Sequence, residues 1–322
     1  MSKIPVKILG TGVHLPSRLV TSEDLEKELG YPAGTFKKSS GVRTRYFATT
    51  ESSSEMGMMA AERALQAAQM EKSQIDAIIS VSGVPQQSLP STSALIHRKL
   101  GLKGTVAFDI NSTCLSFLTG LYQMGNMIAH GIYRHVLLVS SDVASVGLNP
   151  KDPNTASLFG DGAAAVVIGP GETEGIIASH FETRSEYGLD CQCEGGGTLL
   201  ALKDHIPRER HYFRMNGPRM IKAALPPLLK MINKMTSESD KEVDLFIPHQ
   251  ASPLALELVQ RKLKVPDSKF MNISRDYGNM IATSIPFALH KAIEEGKLQR
   301  GNRALLMGTA AGLSIGGILL DY

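Results

Sequence analysis

Three side chains in this 322-residue sequence occupy positions suited to a nucleophile and its helpers. Cys114 closes the run Asn111-Ser112-Thr113-Cys114, ahead of a stretch where Leu118, Leu121, Gly125 and Ile128 repeat at helical spacing. Ser112 or Thr113 can therefore cap that helix, with the thiol at its N-terminus. The partial positive charge there favours thiolate and predicts a lowered cysteine pKa, the usual route to a sulfur nucleophile near neutral pH. A buried structural cysteine is the alternative. His249 lies in Pro248-His249-Gln250-Ala251-Ser252-Pro253, where Ser252 reads as an N-cap and Pro253 as the first helical residue. An imidazole in such a loop can donate a hydrogen bond or exchange a proton, or it can merely tie the turn. Asn279 follows Gly278, a pair that is first of all a turn signal. Its amide is also a neutral donor able to help His249 hold a developing oxyanion.

The elements that must position these groups follow from apolar periodicity. Val6–Leu9, Ala77–Val81, Thr105–Phe108, Val136–Val139 and Ala164–Ile168 are short, apolar, β-branched runs that predict strands buried on both faces. Helical patterns separate them, as from Ser54 to Met70 behind a capping box of Ser52 and Glu55. Alternation of the two predicts an α/β fold. The order then recurs. The helix at 56–70 and strand at 75–79 are echoed by a helix at 218–235 and Val243–Ile247. Phe108–Asn111 and its helix are echoed by Phe270–Ile273, Gly278-Asn279 and a helix to Glu295. Val136–Ser140 and Phe159–Ala163 are echoed by Ala304–Met307 and the glycine-rich 311–317. The chain thus divides into a half at 1–170 bearing Cys114 and a half at 171–322 bearing His249 and Asn279. Loops after matching strands in two such copies converge on one place.

Composition removes other classes of function. With 34 Lys+Arg against 31 Asp+Glu, a net charge of +3 and no basic cluster, neither nucleic acid nor an anionic membrane is the expected partner. No run reaches the roughly 18 to 20 apolar residues of a membrane helix, so no membrane insertion and a soluble, untargeted chain are predicted. Three cysteines give no disulfide framework and leave at least one thiol free, which suits the reducing cytoplasm. Cys191-Gln192-Cys193 lacks a second ligand pair, so no metal is assigned, and Glu194 with Gly195-Gly196-Gly197 predicts a mobile loop. Pro226-Pro227 predicts a kinked or split helix around Ile221–Met231.

Taken together, Gly10-Thr11-Gly12, Ser40–Arg45, Asp109–Phe117, Phe159-Gly160-Asp161-Gly162, Pro248–Ala251, Gly278-Asn279 and the glycine-rich end resemble the β-ketoacyl-acyl-carrier-protein synthase III group of thiolase-like condensing enzymes. The resemblance covers essentially the whole chain. It implies a five-layered αβαβα homodimer without cofactor, an acyltransferase using acyl-coenzyme A or acyl-carrier-protein thioesters. In it Cys114 carries the acyl group, His249 and Asn279 promote decarboxylation of a malonyl thioester, and the backbone N–H groups of Cys114 and Ala311 hold the second oxyanion. The resemblance places Leu89 at the partner subunit's acyl tunnel, where a glutamate base would mark head-to-head condensation. It places Lys222, Arg261 and Lys262 at carrier-docking positions, with ordinary solvated helix faces as the alternative. Leu254 replaces a basic residue of that set. The family's adenine-stacking tryptophan is missing, which leaves Phe36 with Lys37 or Lys38 as its replacement and shifts the expected donor towards a carrier protein. Transfer to a non-carbon or different β-keto acceptor, or a non-catalytic carrier-binding role, are the alternatives.

Overall fold

Apolar side chains alternate between the two faces of the central strands, and this alternation stacks the molecule in layers. The computed structural model describes residues 3–200 and 206–322. Its first half runs β1 (Val6–His14), β2 (Arg18–Thr21), α1 (Ser22–Leu29), α2 (Thr35–Ser39), β3 (Thr44–Phe47), α3 (Ser53–Ala67), β4 (Ala77–Ser80), α4 (Thr92–Leu100), β5 (Val106–Asp109), α5 (Ser116–Ala129), β6 (Val136–Asp142), α6 (Pro153–Ala156) and β7 (Gly162–Pro170). The second runs β8 (Gly175–Thr183), β9 (Cys191–Gln192), β10 (Arg214–Met215), α7 (Gly217–Ser237), β11 (Leu245–Pro248), α8 (Pro253–Leu263), α9 (Ser274–Tyr277), α10 (Ser284–Glu294), β12 (Arg303–Ala310) and β13 (Ser314–Asp321).

The expected repetition is visible in the sheets. One has the order β1-β7-β6-β4-β5, the other β8-β13-β12-β11. In both, the pair β4/β6 or β11/β12 is parallel and the next two pairings are antiparallel. The counterpart of β5 shrinks to one parallel bridge between Phe246 and Phe270. In β6, Val136 and Leu138 face inward while Leu137 and Val139 face outward; in β12, Ala304 and Leu306 face inward while Leu305 and Met307 face outward. The inward sets of both sheets close on α5 and α10, through Leu118, Leu121, Ile285 and Leu289. The outward sets pack on α3 and α4 at one side and on α7 and α8 at the other. Five layers result, each fully buried aliphatic side chain contributing roughly 1.5–3 kcal/mol.

Local chemistry accounts for the details. Ser52 and Glu55 form the anticipated capping box at the start of α3. A Cβ at Gly10 or Gly12 would collide with the α3 backbone, so Gly10-Thr11-Gly12 is a packing motif that lets helix and strand touch. The proline pair does not split α7, which runs unbroken through Pro226 and Pro227. Two interior prolines each cost roughly 3 kcal/mol. Burial of Leu228, Met231, Ile232 and Met235 against the second sheet offsets that cost.

Candidate active site

The turn that presents Cys114 differs from the simple N-cap expected. Helix α5 starts at Ser116, two residues beyond the cysteine, and neither Ser112 nor Thr113 caps it. Instead, Ser116 reaches back: its Oγ accepts the N–H of Ser112 at 2.9 Å and donates to the carbonyl of Thr113 at 2.7 Å. Thr113 is held at φ +51°, an unfavourable region for a β-branched residue, and its N–H donates to Asn111 Oδ1 at 2.8 Å. The turn is thus over-determined by side chains, as a nucleophile's mount should be. Thr113 Oγ1 donates to the Ala311 carbonyl at 3.4 Å, which holds the tight turn between β12 and β13 against the Cys114 turn.

The thiol does not rest as an activated thiolate. Loss of hydration, reinforced by the nearby Cys191, pushes Cys114 up to about 12, against the lowered value expected from the helix end. Burial outweighs the dipole because α5 begins two residues later and the thiol is walled in by apolar groups. Accordingly, alkylation of Cys114 by iodoacetamide in the unliganded protein should still rise about tenfold per pH unit at pH 9. Peptide mass spectrometry measures this directly, and a plateau below pH 9 would restore the activated-thiolate reading.

His249 and Asn279 are placed by neighbouring loops that one side chain clamps together. His249 follows β11, its N–H bonded to the Met307 carbonyl of β12 at 2.7 Å. Ser252 caps α8 through the Ala255 N–H, with Pro253 as the first helical residue, as the sequence predicts. Buried Gln250 donates to the carbonyls of Pro248 (2.7 Å) and Met271 (3.1 Å) and accepts from the N–H groups of Ile273 (2.9 Å) and Ser274 (3.1 Å). It therefore ties the histidine loop to the segment leading into Asn279. Asn279 Oδ1 accepts the N–H of Ile281 at 2.8 Å, and Nδ2 donates to the Ala251 carbonyl at 3.3 Å, which leaves a second amide proton for a ligand. Phe159-Gly160-Asp161-Gly162 crosses beside this loop, with Gly160 N–H donating to the Asn279 carbonyl at 3.1 Å. Burial holds His249 down to about 4, so the imidazole is neutral at physiological pH, and its Nδ1 is buried without a protein partner. A Cβ at Gly308 would lie 2.6 Å from that of His249, so only glycine leaves the ring its place.

Cys114, His249, Asn279 and Gly308 line one cavity of about 450 Å³, together with Ala311 and, from α7 and α8, Ile221, Leu225, Ala255 and Val259. Among the described residues that line it, none is Asp, Glu, Lys or Arg. Cys191 and Cys193 also form its wall. The mobile loop expected there is instead fastened: β9 pairs with β10, and Glu194 forms ion pairs with Arg210 and Arg214. The other sequence candidates lie outside. Leu89 is 84% exposed on the loop between β4 and α4. Lys222 on α7 and Arg261 and Lys262 on α8 are exposed, on the two helices that form the cavity's outer wall. Phe36 cannot stack on an adenine: it is fully buried against Val20, Leu25, Phe47 and Ala156. The buried Glu26 carboxylate fixes it inward by accepting the N–H groups of Phe36 (2.6 Å) and Gly34 (2.9 Å). The sequence pattern does not single out Gly308 or Asp142, and it sets Cys191 aside as half of a weak C-x-C pair; a run of polar residues ending an otherwise apolar strand is the signal for Asp142.

Two sheets of matching strand order in five layers, with a cysteine from one half of the chain and a histidine and asparagine from the other meeting in one apolar cavity, define a thiolase-like condensing enzyme. Residues 108–185 match the family described as 3-oxoacyl-[acyl-carrier-protein (ACP)] synthase III, and residues 235–322 match its C-terminal part. The chain is 33% identical to the β-ketoacyl-[acyl-carrier-protein] synthase III of Natranaerobius thermophilus and 35% identical to that of Aquifex aeolicus, over 98% of this chain and 99% of each relative. The crystal structure of the Aquifex aeolicus enzyme aligns at a TM-score of 0.90 and 32% identity, covering 98% of this chain and 100% of that one. The chain belongs to the β-ketoacyl-[acyl-carrier-protein] synthase III family. It is accordingly an acyltransferase of the 3-oxoacyl-carrier-protein synthase III type, a condensing enzyme.

Proposed function

We propose that Cys114 is the acyl-carrying nucleophile and that His249 and Asn279 are the donors for decarboxylative condensation with a malonyl thioester. The observation that carries this reading is the convergence of a thiol, a neutral imidazole and a carboxamide in a cavity where, among the described residues, no Asp, Glu, Lys or Arg forms the wall. In the first half-reaction Cys114 sulfur attacks the donor thioester carbonyl, the carbon–sulfur bond to the donor breaks, and the thiol proton ends on the departing thiol. The backbone N–H groups of Cys114 and Ala311 face the oxyanion of that step. In the second, the malonyl carbon–carboxylate bond breaks, carbon dioxide leaves, and negative charge moves to the thioester oxygen. Carboxylate charge has no cationic partner among the described lining residues, whereas the enolate oxygen meets the His249 and Asn279 donors; both differences favour decarboxylation. The enolate carbon then attacks acyl-Cys114, its carbon–sulfur bond breaks, and the Cys114 thiolate takes a proton from solvent, the one proton that the overall reaction consumes. Because the protein's own cysteine holds the acyl group, the reaction as drawn uses no bound cofactor.

Intact-protein mass spectrometry with a panel of acyl thioesters, followed by malonyl thioester, tests the scheme. An adduct that malonyl thioester discharges with carbon dioxide release supports it; discharge without carbon dioxide would make the enzyme an acyl transferase to another acceptor.

The partner side of the reading is a homodimer that meets an acyl carrier protein in the cytoplasm. Among the described residues the edge strand β5 pairs with β4 alone, with Val106 exposed, and Leu89 stands out from a neighbouring loop, so this edge and an apolar side chain are offered to a second copy. Burial of Phe36 leaves no aromatic platform for adenine at that position, which favours carrier-bound donors. Three free cysteines fit a reducing compartment, and no helix among the described residues is long and apolar enough to cross a membrane. If Lys222, Arg261 and Lys262 receive the acidic carrier, changing all three to Glu should raise KM for carrier-bound malonyl groups by about tenfold or more. Turnover of a small-molecule malonyl thioester should not change. Equal KM values with the carrier substrate would assign these residues to ordinary solvated surface.

A further inference from the structure

Strand β6 ends in Ser140-Ser141-Asp142, polar residues closing a strand whose every position is buried. Asp142 Oδ1 accepts the N–H groups of Gly83 at 2.9 Å and Val84 at 3.0 Å. Its Oδ2 accepts the N–H of Thr283 at 3.1 Å and the Thr283 hydroxyl at 3.0 Å. Each of these segments leads to a reacting group. The Gly83 carbonyl accepts from Asn111 Nδ2 at 3.2 Å, and Asn111 Oδ1 holds the N–H of Thr113, the left-handed residue before Cys114. On the other side, the Thr283 N–H also closes the turn onto the Met280 carbonyl at 3.0 Å, and within that turn Asn279 Oδ1 holds the Ile281 N–H. One carboxylate in the first half of the chain therefore grips the mounts of both the nucleophile and the amide donor.

We propose that Asp142 is a positioning residue for both half-reactions, fixing the Cys114 turn and the Asn279 turn relative to one another. This rests on the roles given to Cys114 and Asn279 above. All four groups that face the carboxylate are donors, and an ionised carboxylate is the side chain that accepts from all of them. An amide in its place must turn its NH2 towards either the Gly83–Val84 pair or Thr283. The site also retains a group that is costly to bury: desolvation pushes the Asp142 carboxyl up to about 6 despite its four donors. A core position needing only filler would take valine or leucine, as Leu137, Leu138 and Val139 do earlier in the strand.

The test uses the full chain and three variants, with acyl loading and malonyl decarboxylation measured separately alongside melting temperature. Asp142→Asn should lower both rates by about tenfold or more, while KM for each thioester moves by less than about threefold. Thr283→Val keeps the backbone N–H but removes the hydroxyl on the Asn279 side, and should slow decarboxylation at least about threefold more than loading. Asn111→Asp keeps the acceptor for Thr113 but removes the donor to Gly83, and should show the opposite bias. If Asp142→Asn does not fold, the opposed biases of the other two variants decide the matter. Rates in Asp142→Asn within about twofold of the parent, or losses in the pair without opposite bias, would overturn the proposal. Failure of the underlying reading would show separately, as acyl loading that survives Cys114→Ala.

Discussion

Cys114→Ala should form no acyl adduct and should lose condensation by about 10⁴-fold or more, the scale expected when a covalent nucleophile is deleted. The fold should survive the change. The turn around residue 114 is held by Asn111, Thr113 and Ser116, and the substitution removes only the sulfur. Malonyl decarboxylation should persist, because the groups proposed to stabilise the enolate stand on other loops; with no acyl-enzyme to attack, the enolate is simply protonated. Carbon dioxide release without condensation is therefore the signature, read with an intact-mass measurement for the missing adduct. An adduct at parental stoichiometry in Cys114→Ala would move the nucleophile elsewhere. Cys191 on the wall of the same cavity is the next thiol, although burial pushes it up to about 11.

The sequence made the layers legible because the signal for them is local. Strands such as Val136–Val139 and Ala164–Ile168 are apolar on both faces since helices cover both sides, and the repeat order then pairs Ile75–Ile79 with Val243–Ile247, within a residue or two of the observed β4 and β11. Strand β8 went unforeseen because its exposed and half-buried positions, among them Phe181 and Glu182, blur both the apolar run and the alternation. For the site, residue identity and loop position nominate Cys114, His249 and Asn279 without deciding between catalytic and structural roles, the family resemblance supplies the roles, and the fold brings all three to one cavity. What remained hidden depends on tertiary surroundings. Solvation decides the Cys114 protonation state, and a sequence shows the helix that follows but not the apolar wall that strips water away. Phe36 looked like a free aromatic beside two lysines; the Glu26 carboxylate that turns it inward lies ten residues earlier. The two prolines of α7 read as a break because propensity is local, whereas the apolar face that holds the helix together meets the second sheet.

His249→Ala and Asn279→Ala should each lower malonyl decarboxylation by about 10²- to 10³-fold, the usual loss when one preorganised donor to an oxyanion is removed. Acyl loading should fall by less than about tenfold, since its oxyanion faces backbone N–H groups instead. The double variant should lose less than the product of the two single losses, because both donors serve one oxygen. Asn279→Asp gives a sharper test. It preserves the Oδ1 that accepts from Ile281, yet places a negative oxygen where the amide would donate, inside a cavity whose described lining residues offer no cation. It should decarboxylate no faster than Asn279→Ala. The pH dependence separates hydrogen-bond donation from proton exchange at His249. Burial lowers its pKa from the ordinary 6.5 to about 4, so the neutral ring persists as pH falls through 6.5 and gives way to imidazolium only near 4. Decarboxylation by the acylated enzyme should therefore show no limb near pH 6.5 that belongs to this residue. A limb there that vanishes in His249→Ala would mean that the ring is hydrated in the working complex and exchanges its proton during turnover.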